Sequence, residues 1–324
     1  MSIIGGPVRK RILLQLATLV LLAGGVSLVL ATAAAGQGEQ LAYSRSVAAT
    51  FEYGSEPTQL GRRVGPERRP IGPVSFAVDA AGRLAIADDV NGRVQVYSPA
   101  GQLARSLPAR GWIHDLVFDK AGDLYTLDVD GVVASHDVET GQTKWRGSLT
   151  AGLARTLGLF GVVGETVDLR SPDQASQPLV QAGKPVPIAE QAAKRKGAKS
   201  PSGAYYTTSY RDRGHVYRLD GQGTIVRDIS LGLSDVASVV FLAEDRAGNV
   251  YVQVERFISR DAANHKVGVE VRRFDSRGNL TATIALAPVT YVEMSRSTVV
   301  TDDGTVYQLL PTESGVSLLR WQSS

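Results

Sequence analysis

The sequence predicts an all-β protein, a β-propeller of six blades preceded by one N-terminal transmembrane helix or signal sequence. Three observations predict it. Short runs of alternating apolar residues end at turns containing Gly, a pair of turn glycines recurs with a period of about 40 residues, and one long uncharged stretch lies near the N-terminus.

The chain starts with a basic region, residues 1–11, in which Arg9, Lys10 and Arg11 are the only charged groups. Residues 12–35 carry no charge and are rich in Leu, Val and Ala. As a helix rising about 1.5 Å per residue, this stretch would reach about 36 Å, enough to cross a bilayer. Basic residues precede it and none follows until Arg45, which places the N-terminus in the cytoplasm and everything after it outside. Ala31-Thr32-Ala33 and Ala33-Ala34-Ala35 offer the small-x-small pattern of a cleaved export signal, and cleavage would leave a secreted or periplasmic protein. The run is longer than the usual signal core of about 7 to 15 residues, which favours a single-pass anchor.

Residues 36–71, with Gly61-Arg62-Arg63, Gly65-Pro66 and Arg69-Pro70, form a linker. Within it, the alternation around Val47 to Tyr53 supplies a strand that closes the ring against the last blade.

Residues 72–324 form the propeller. Val74 to Asp79, Leu84 to Asp88, Val94 to Tyr97 and Leu103 onward alternate as half-buried strands, cut by turns at Asp79–Gly82 and Ser98–Gly101. The first turn glycine recurs as Gly82, Gly122, Gly164, Gly203, Gly248 and Gly304. The second recurs as Gly101, Gly141, Gly183, Gly221 and Gly278, with Gly315 in a shortened last unit. Two stretches interrupt the rhythm. Pro185 to Pro201, with Lys194, Arg195, Lys196 and Lys199, reads as a basic loop with attraction for anionic polymer or lipid headgroups. Glu255 to Gly268 reads as a lengthened loop in the fifth unit.

Residues 74–107 resemble the NHL repeat: an apolar strand ending in Asp79, then Asp88-Asp89-Val90-Asn91-Gly92-Arg93, the strand Val94 to Tyr97 and the turn at Gly101. Blades 2 and 5 match in part. The resemblance implies an NHL-like propeller and identifies architecture rather than activity. In blade 2, Gly131 to Trp145 also looks like one repeat of the pyrroloquinoline-quinone propellers, and a single copy does not imply that cofactor.

Composition restricts the chemistry. The chain of 324 residues has no Cys, which excludes disulfides, thiol redox chemistry and Cys-ligated metals. Its net charge of +3 lies in the three basic residues ahead of the apolar stretch, so the folded part is neutral and lacks the broad basic footprint of a nucleic-acid binder. Nucleophile-elbow, His-Glu-x-x-His and phosphate-loop patterns are absent.

Of the four His residues, His114 stands at the start of a blade's first strand, beside Trp112 and Asp115, where a propeller exposes side chains to its channel. His114 and Asp115 are therefore the candidate catalytic residues, the other reading being a loop His packed on Trp112. Candidate ligand-binding residues are Asp89, Asn91, Trp112, Tyr210, Asp212 and Glu255, on loops or at strand exits. Asp88, Asp89 and Asp128 are candidate metal ligands, because carboxylates converging on a channel mouth hold Ca²⁺ through oxygen. That arrangement occurs in propeller lactonases, which the chain resembles in architecture only. The other reading of these Asp residues is that they satisfy turn N–H groups.

No cofactor is predicted beyond possible Ca²⁺. The expected function is an extracytoplasmic, membrane-tethered or exported binding and scaffold module for an envelope protein, peptide or glycan. The alternative is a metal-assisted hydrolase or lyase with its site at the channel mouth.

Overall fold

Strands with period-two alternation present one side-chain set to each neighbouring blade, so a four-stranded unit is stable only when stacked. The computed structural model describes residues 40–66, 68–109, 111–149, 159–163, 166–170, 175–181, 183–186, 196–259, 261 and 266–323. The expected basic region and membrane span lie outside these residues, as do Lys194, Arg195, Gly164 and His265.

The first strand, β1 (Tyr43–Phe51), belongs to the last blade. Blade 1 contains β2 (Phe76–Val78), β3 (Leu84–Asp88), β4 (Arg93–Tyr97) and β5 (Leu103–Pro108). Blade 2 contains β6 (Ile113–Phe118), β7 (Leu124–Asp128), β8 (Val132–His136) and β9 (Thr143–Ser148). Blade 3 contains β10 (Leu159–Val163), β11 (Thr166–Arg170), β12 (Ser176–Gln181) and β13 (Lys184–Pro185). Blade 4 contains β14 (Ala198–Lys199), β15 (Tyr205–Ser209), β16 (His215–Leu219) and β17 (Ile225–Ser230). Blade 5 contains β18 (Val236–Glu244), β19 (Val250–Ser259), β20 (Lys266–Phe274) and β21 (Leu280–Leu286). Blade 6 contains β22 (Thr298–Val300), β23 (Val306–Pro311) and β24 (Val316–Ser323), completed by β1.

The predicted six-bladed all-β ring is therefore present. The first strand of each blade is innermost: β6 packs on β2 and β10, and β22 on β2 and β18. Turns between first and second, and third and fourth, strands gather at one end of the ring, here the turn end. Second-to-third turns and the connections between blades gather at the other, the loop end.

Apolar side chains fill the gaps between blades. Val94, Leu107, Leu116 and Phe118 join blades 1 and 2, while Tyr125, Phe160 and Val167 join blades 2 and 3. Each such buried side chain contributes about 1.5–3 kcal/mol. At the turn end, Asp79, Asp119, Asp220, Asp245 and Asp275 each use Oδ1 to accept N–H groups two and four residues onward. The glycine that completes these turns has positive φ, +82° at Gly82 for example, which a Cβ would oppose.

Four sequence expectations change. The closing strand is Tyr43–Phe51 rather than Val47–Tyr53, because its register with β24 runs from Tyr43↔Ser323 to Phe51↔Val316. In blade 4 the second turn glycine is Gly223, with φ +83°, rather than Gly221, since its N–H closes the turn on the Asp220 carbonyl. Gly315 lies in the second-to-third turn of blade 6, at the loop end; that blade takes its fourth strand from the N-terminal segment and so has no second glycine of the repeating kind. The expected loops are partly strand: Ala198–Lys199 is the innermost strand of blade 4, and Glu255–Ser259 pairs with Lys266–Val269 as an extended hairpin.

Candidate functional site

The candidate residues named above all fall at or beside the loop end. Asp88, Asp89, Asn91, Asp128, Tyr210 and Asp212 lie in or next to second-to-third turns, Glu255 lies in the extended β19–β20 hairpin, and Trp112, His114 and Asp115 follow the connection between blades 1 and 2. They do not form one cluster. Tyr210 and Asp212 belong to blade 4, where Asp212 has φ +50° and its carbonyl accepts from the His215 ring.

Asp88, Asn91 and Arg93 of blade 1 hold a strap. Asp88 is fully buried and accepts from Gly61 N at 2.6 Å, Asn91 Nδ2 at 2.9 Å and Arg93 Nε at 2.8 Å. Asn91 also donates to Gly54 O, and Arg93 Nη2 to Glu56 O and Gln59 O. Residues 54–61, expected as linker, are thus fastened over blade 1, with Leu60 wholly buried. Asp128 accepts the N–H groups of Asp130 and Val132, the turn-capping arrangement. Among the described residues, no three His, Cys, Asp or Glu side chains come together as a metal-holding group.

Asp89 accepts Ile113 N at 2.9 Å. Burial pushes its carboxyl up to about 7, opposed by that hydrogen bond and reinforced by Asp88. An acid with a raised folded pKa holds a proton that the unfolded chain releases, so its contribution is complete below the unfolded value of 3.8 and is lost as pH rises through about 7. Between pH 5 and 8 the wild type is expected to lose on the order of 1 kcal/mol relative to Asp89→Asn. Thermal melts of both proteins across that range test this, and parallel pH profiles would refute it.

Asp115 is fully buried at the start of blade 2 and joins four blades. It accepts from Arg296 Nε at 2.9 Å and Nη2 at 2.6 Å, from Ser75 Oγ at 2.7 Å and from Phe160 N at 2.7 Å. Arg296 Nη2 also donates to Phe160 O at 2.7 Å, and Ser295 Oγ to the carbonyls of Val74 and His114. Burial alone would lower the Arg296 pKa; the Asp115 carboxylate reverses this and raises it. Sequence reasoning selected Asp115 but missed Arg296, Ser75 and Ser295.

Between blades 1 and 2 runs a cleft of about 310 Å³. Pro108, Ala109 and Asp128 line it at the loop end, and His136 and Thr143 toward the turn end. The His136 ring lies 3.3 Å from the hydroxyls of Thr126 and Thr143, and burial, aided by Arg146, lowers its pKa and keeps it neutral. Above the cleft, the Arg63 guanidinium lies 5.3 Å from the Trp112 ring centre, and Val129 N donates to Trp112 O. Val64, Trp112 and Val129 are 62%, 43% and 44% exposed.

No protein-family model matches the chain, and no curated protein does. Among solved structures, it is similar to a streptogramin B lyase at 11% identity and TM-score 0.49, over 86% of this chain and 98% of that one. It is also similar to a protein of unknown function from Bacteroides caccae at 12% identity and TM-score 0.43, over 67% of this chain and 87% of that one.

Proposed function

We propose that the protein is a binding module: an exported or membrane-tethered, NHL-like propeller whose loop end recognises a peptide segment of an envelope protein. The observation that carries this reading is the exposed pair Trp112 and Val129, joined by the hydrogen bond from Val129 N to Trp112 O, with Arg63 over the indole, beside the cleft that Ile113 and Asp128 line between blades 1 and 2. An aromatic side chain at the edge of a concave, largely apolar cleft suits an anchor for a partner's apolar residue. Arg63 adds preference for an acidic neighbour in that partner.

Two further features support binding over catalysis. The carboxylates of Asp88, Asp115 and Asp128 are engaged with backbone N–H groups or guanidinium groups that hold the ring together. The strand β1 runs from the turn end toward the loop end, so the chain joins the ring on the side away from the patch.

Peptides selected by display against the full chain are expected to bind at least tenfold more weakly to Trp112→Ala, the cost of a lost aromatic anchor. Trp112→Ala should lower the melting temperature by no more than a few degrees, about 4 °C, because the side chain is 43% exposed and lies outside the buried core between blades. Ligands bound equally by wild type, Trp112→Ala and Val129→Asp would overturn the assignment, and selective binding on a glycan panel instead would replace the peptide by a sugar.

A further inference from the structure

Blade 2 differs from the other blades at one position. Opposite the third residue of each blade's second strand, the third strand carries Gln95, Ala134, Pro178, Tyr217, Arg272 and Leu319 in blades 1 to 6. Ala134 has the smallest side chain of these. Larger residues at this position occupy the seam to the preceding blade or hold the strap beside it. Leu319 packs with Tyr251 and Ile284 of blade 5, Arg272 Nη1 donates to Leu231 O between blades 4 and 5, and Gln95 Nε2 donates to Pro57 O and Gln59 O of the strap. With Ala134 in that place, the seam between blades 1 and 2 keeps its cleft of about 310 Å³.

The walls of the cleft set what it can hold. Val94 and Leu107 line it from blade 1, and Ile113, Val132 and Ala134 from blade 2, so most of its surface is apolar. Toward the turn end, the His136 ring nitrogens and the hydroxyls of Thr126 and Thr143 form a polar end that can both donate and accept. Their mutual distances of 3.3 Å are long for hydrogen bonds, which leaves these groups capacity for a better partner. The neutral imidazole offers an ion no counter-charge, and the two charged lining residues, Asp128 and Arg146, are opposite in sign and favour neither kind. The volume lies at the lower end of small-molecule pockets and takes one substituted ring, since benzene fits an apolar cavity of about 150 Å³.

We infer that this cleft is a binding site for a small uncharged aromatic compound bearing one hydroxyl, a phenol in the simplest case, with its ring on Ala134 and its hydroxyl at His136. The cleft lies between two packed sheets, so it is a slot, and a flat ring fits a slot. A hydroxyl is both donor and acceptor, and it therefore matches the imidazole and the two threonines in either tautomer of His136. The inference does not rest on the loop-end pair Trp112 and Val129, because neither lines the cleft.

The test is a ligand-observed NMR titration of the full chain with p-cresol, toluene and benzoate. Wild type is expected to bind p-cresol with a Kd on the order of 1 mM, the affinity that so few heavy atoms supply in a matching site. Ala134→Leu, which gives blade 2 the side chain that blade 6 has as Leu319, should weaken binding at least about tenfold and melt no lower than wild type, because it fills the cleft. His136→Phe, which copies Phe274 at the same place in blade 5, keeps the apolar volume and removes the imidazole. The ratio of p-cresol to toluene affinity should then fall about fivefold, the worth of one hydrogen bond. Trp112→Ala should leave p-cresol binding within about twofold, so failure of the peptide anchor and failure of the cleft site are told apart. No saturable binding of p-cresol by wild type up to about 10 mM would overturn the inference. So would unchanged affinity in folded Ala134→Leu, an unchanged ratio in folded His136→Phe, or benzoate bound as tightly as p-cresol.

Discussion

Asp115→Ala is expected to destabilise the ring by about 4 kcal/mol, at the level seen when one member of a buried ion pair is removed. The carboxylate is fully buried and accepts two bonds from Arg296, one from Ser75 and one from Phe160 N. Its loss leaves a guanidinium, a hydroxyl and a backbone N–H without their acceptor in a place water reaches poorly. For a ring of this size, the loss corresponds to a fall in melting temperature of about 8 °C or more. Arg296→Met is expected to cost a similar amount, because it strands the Asp115 charge. The double variant should be about 2 kcal/mol or more better than the sum of the two, since each single change has already broken the same pair. Urea unfolding of the four proteins measures this coupling, and additivity within about 0.5 kcal/mol would mean that the pair does not act as a unit.

The contrast between what the sequence displays and what it hides follows from the range of the interactions. A turn that needs positive φ marks itself locally with Gly, so Gly82, Gly122, Gly203, Gly248 and Gly304 revealed the blade period directly. Where two glycines compete within one turn, spacing alone chose Gly221, and the hydrogen bond to Asp220 selects Gly223. Asp88, Asn91 and Arg93 were visible as a pattern, but their partners lie in a segment that reads as linker. Arg296 and Asp115 are 181 residues apart, and Arg170 and Leu242 are 72 apart. No periodicity links such residues, because only ring closure brings them together. His136 was visible as one of four histidines, whereas its placement between two threonines depends on strand register.

Removing the closing strand is expected to have the larger effect. A chain beginning at Glu52 lacks β1, whose register with β24 spans Tyr43↔Ser323 to Phe51↔Val316. It also loses the Phe51 side chain, 6% exposed and with its ring 4.8 Å from that of Tyr97, so the seam between blades 6 and 1 opens. Phe51→Ala alone should cost about 3–5 kcal/mol. At the other end of the strand, Tyr43 Oη lies 3.3 Å from Tyr251 Oη, and Leu41 N donates to Thr281 O, which fastens the segment to blade 5 as well. Without β1, the backbone of β24 becomes a free sheet edge beside the apolar side chains of Val316, Leu318 and Trp321, a template for pairing between chains. The truncated protein is therefore expected to form oligomers or aggregates in size-exclusion chromatography, where the full chain gives a discrete species. A synthetic peptide of residues 40–51 added during refolding should restore that species, because the missing strand is joined to blade 6 by hydrogen bonds and packing as well as by the chain. A truncated chain that stays dispersed and melts like the full one would show that five complete blades and a three-stranded sixth suffice to close the ring.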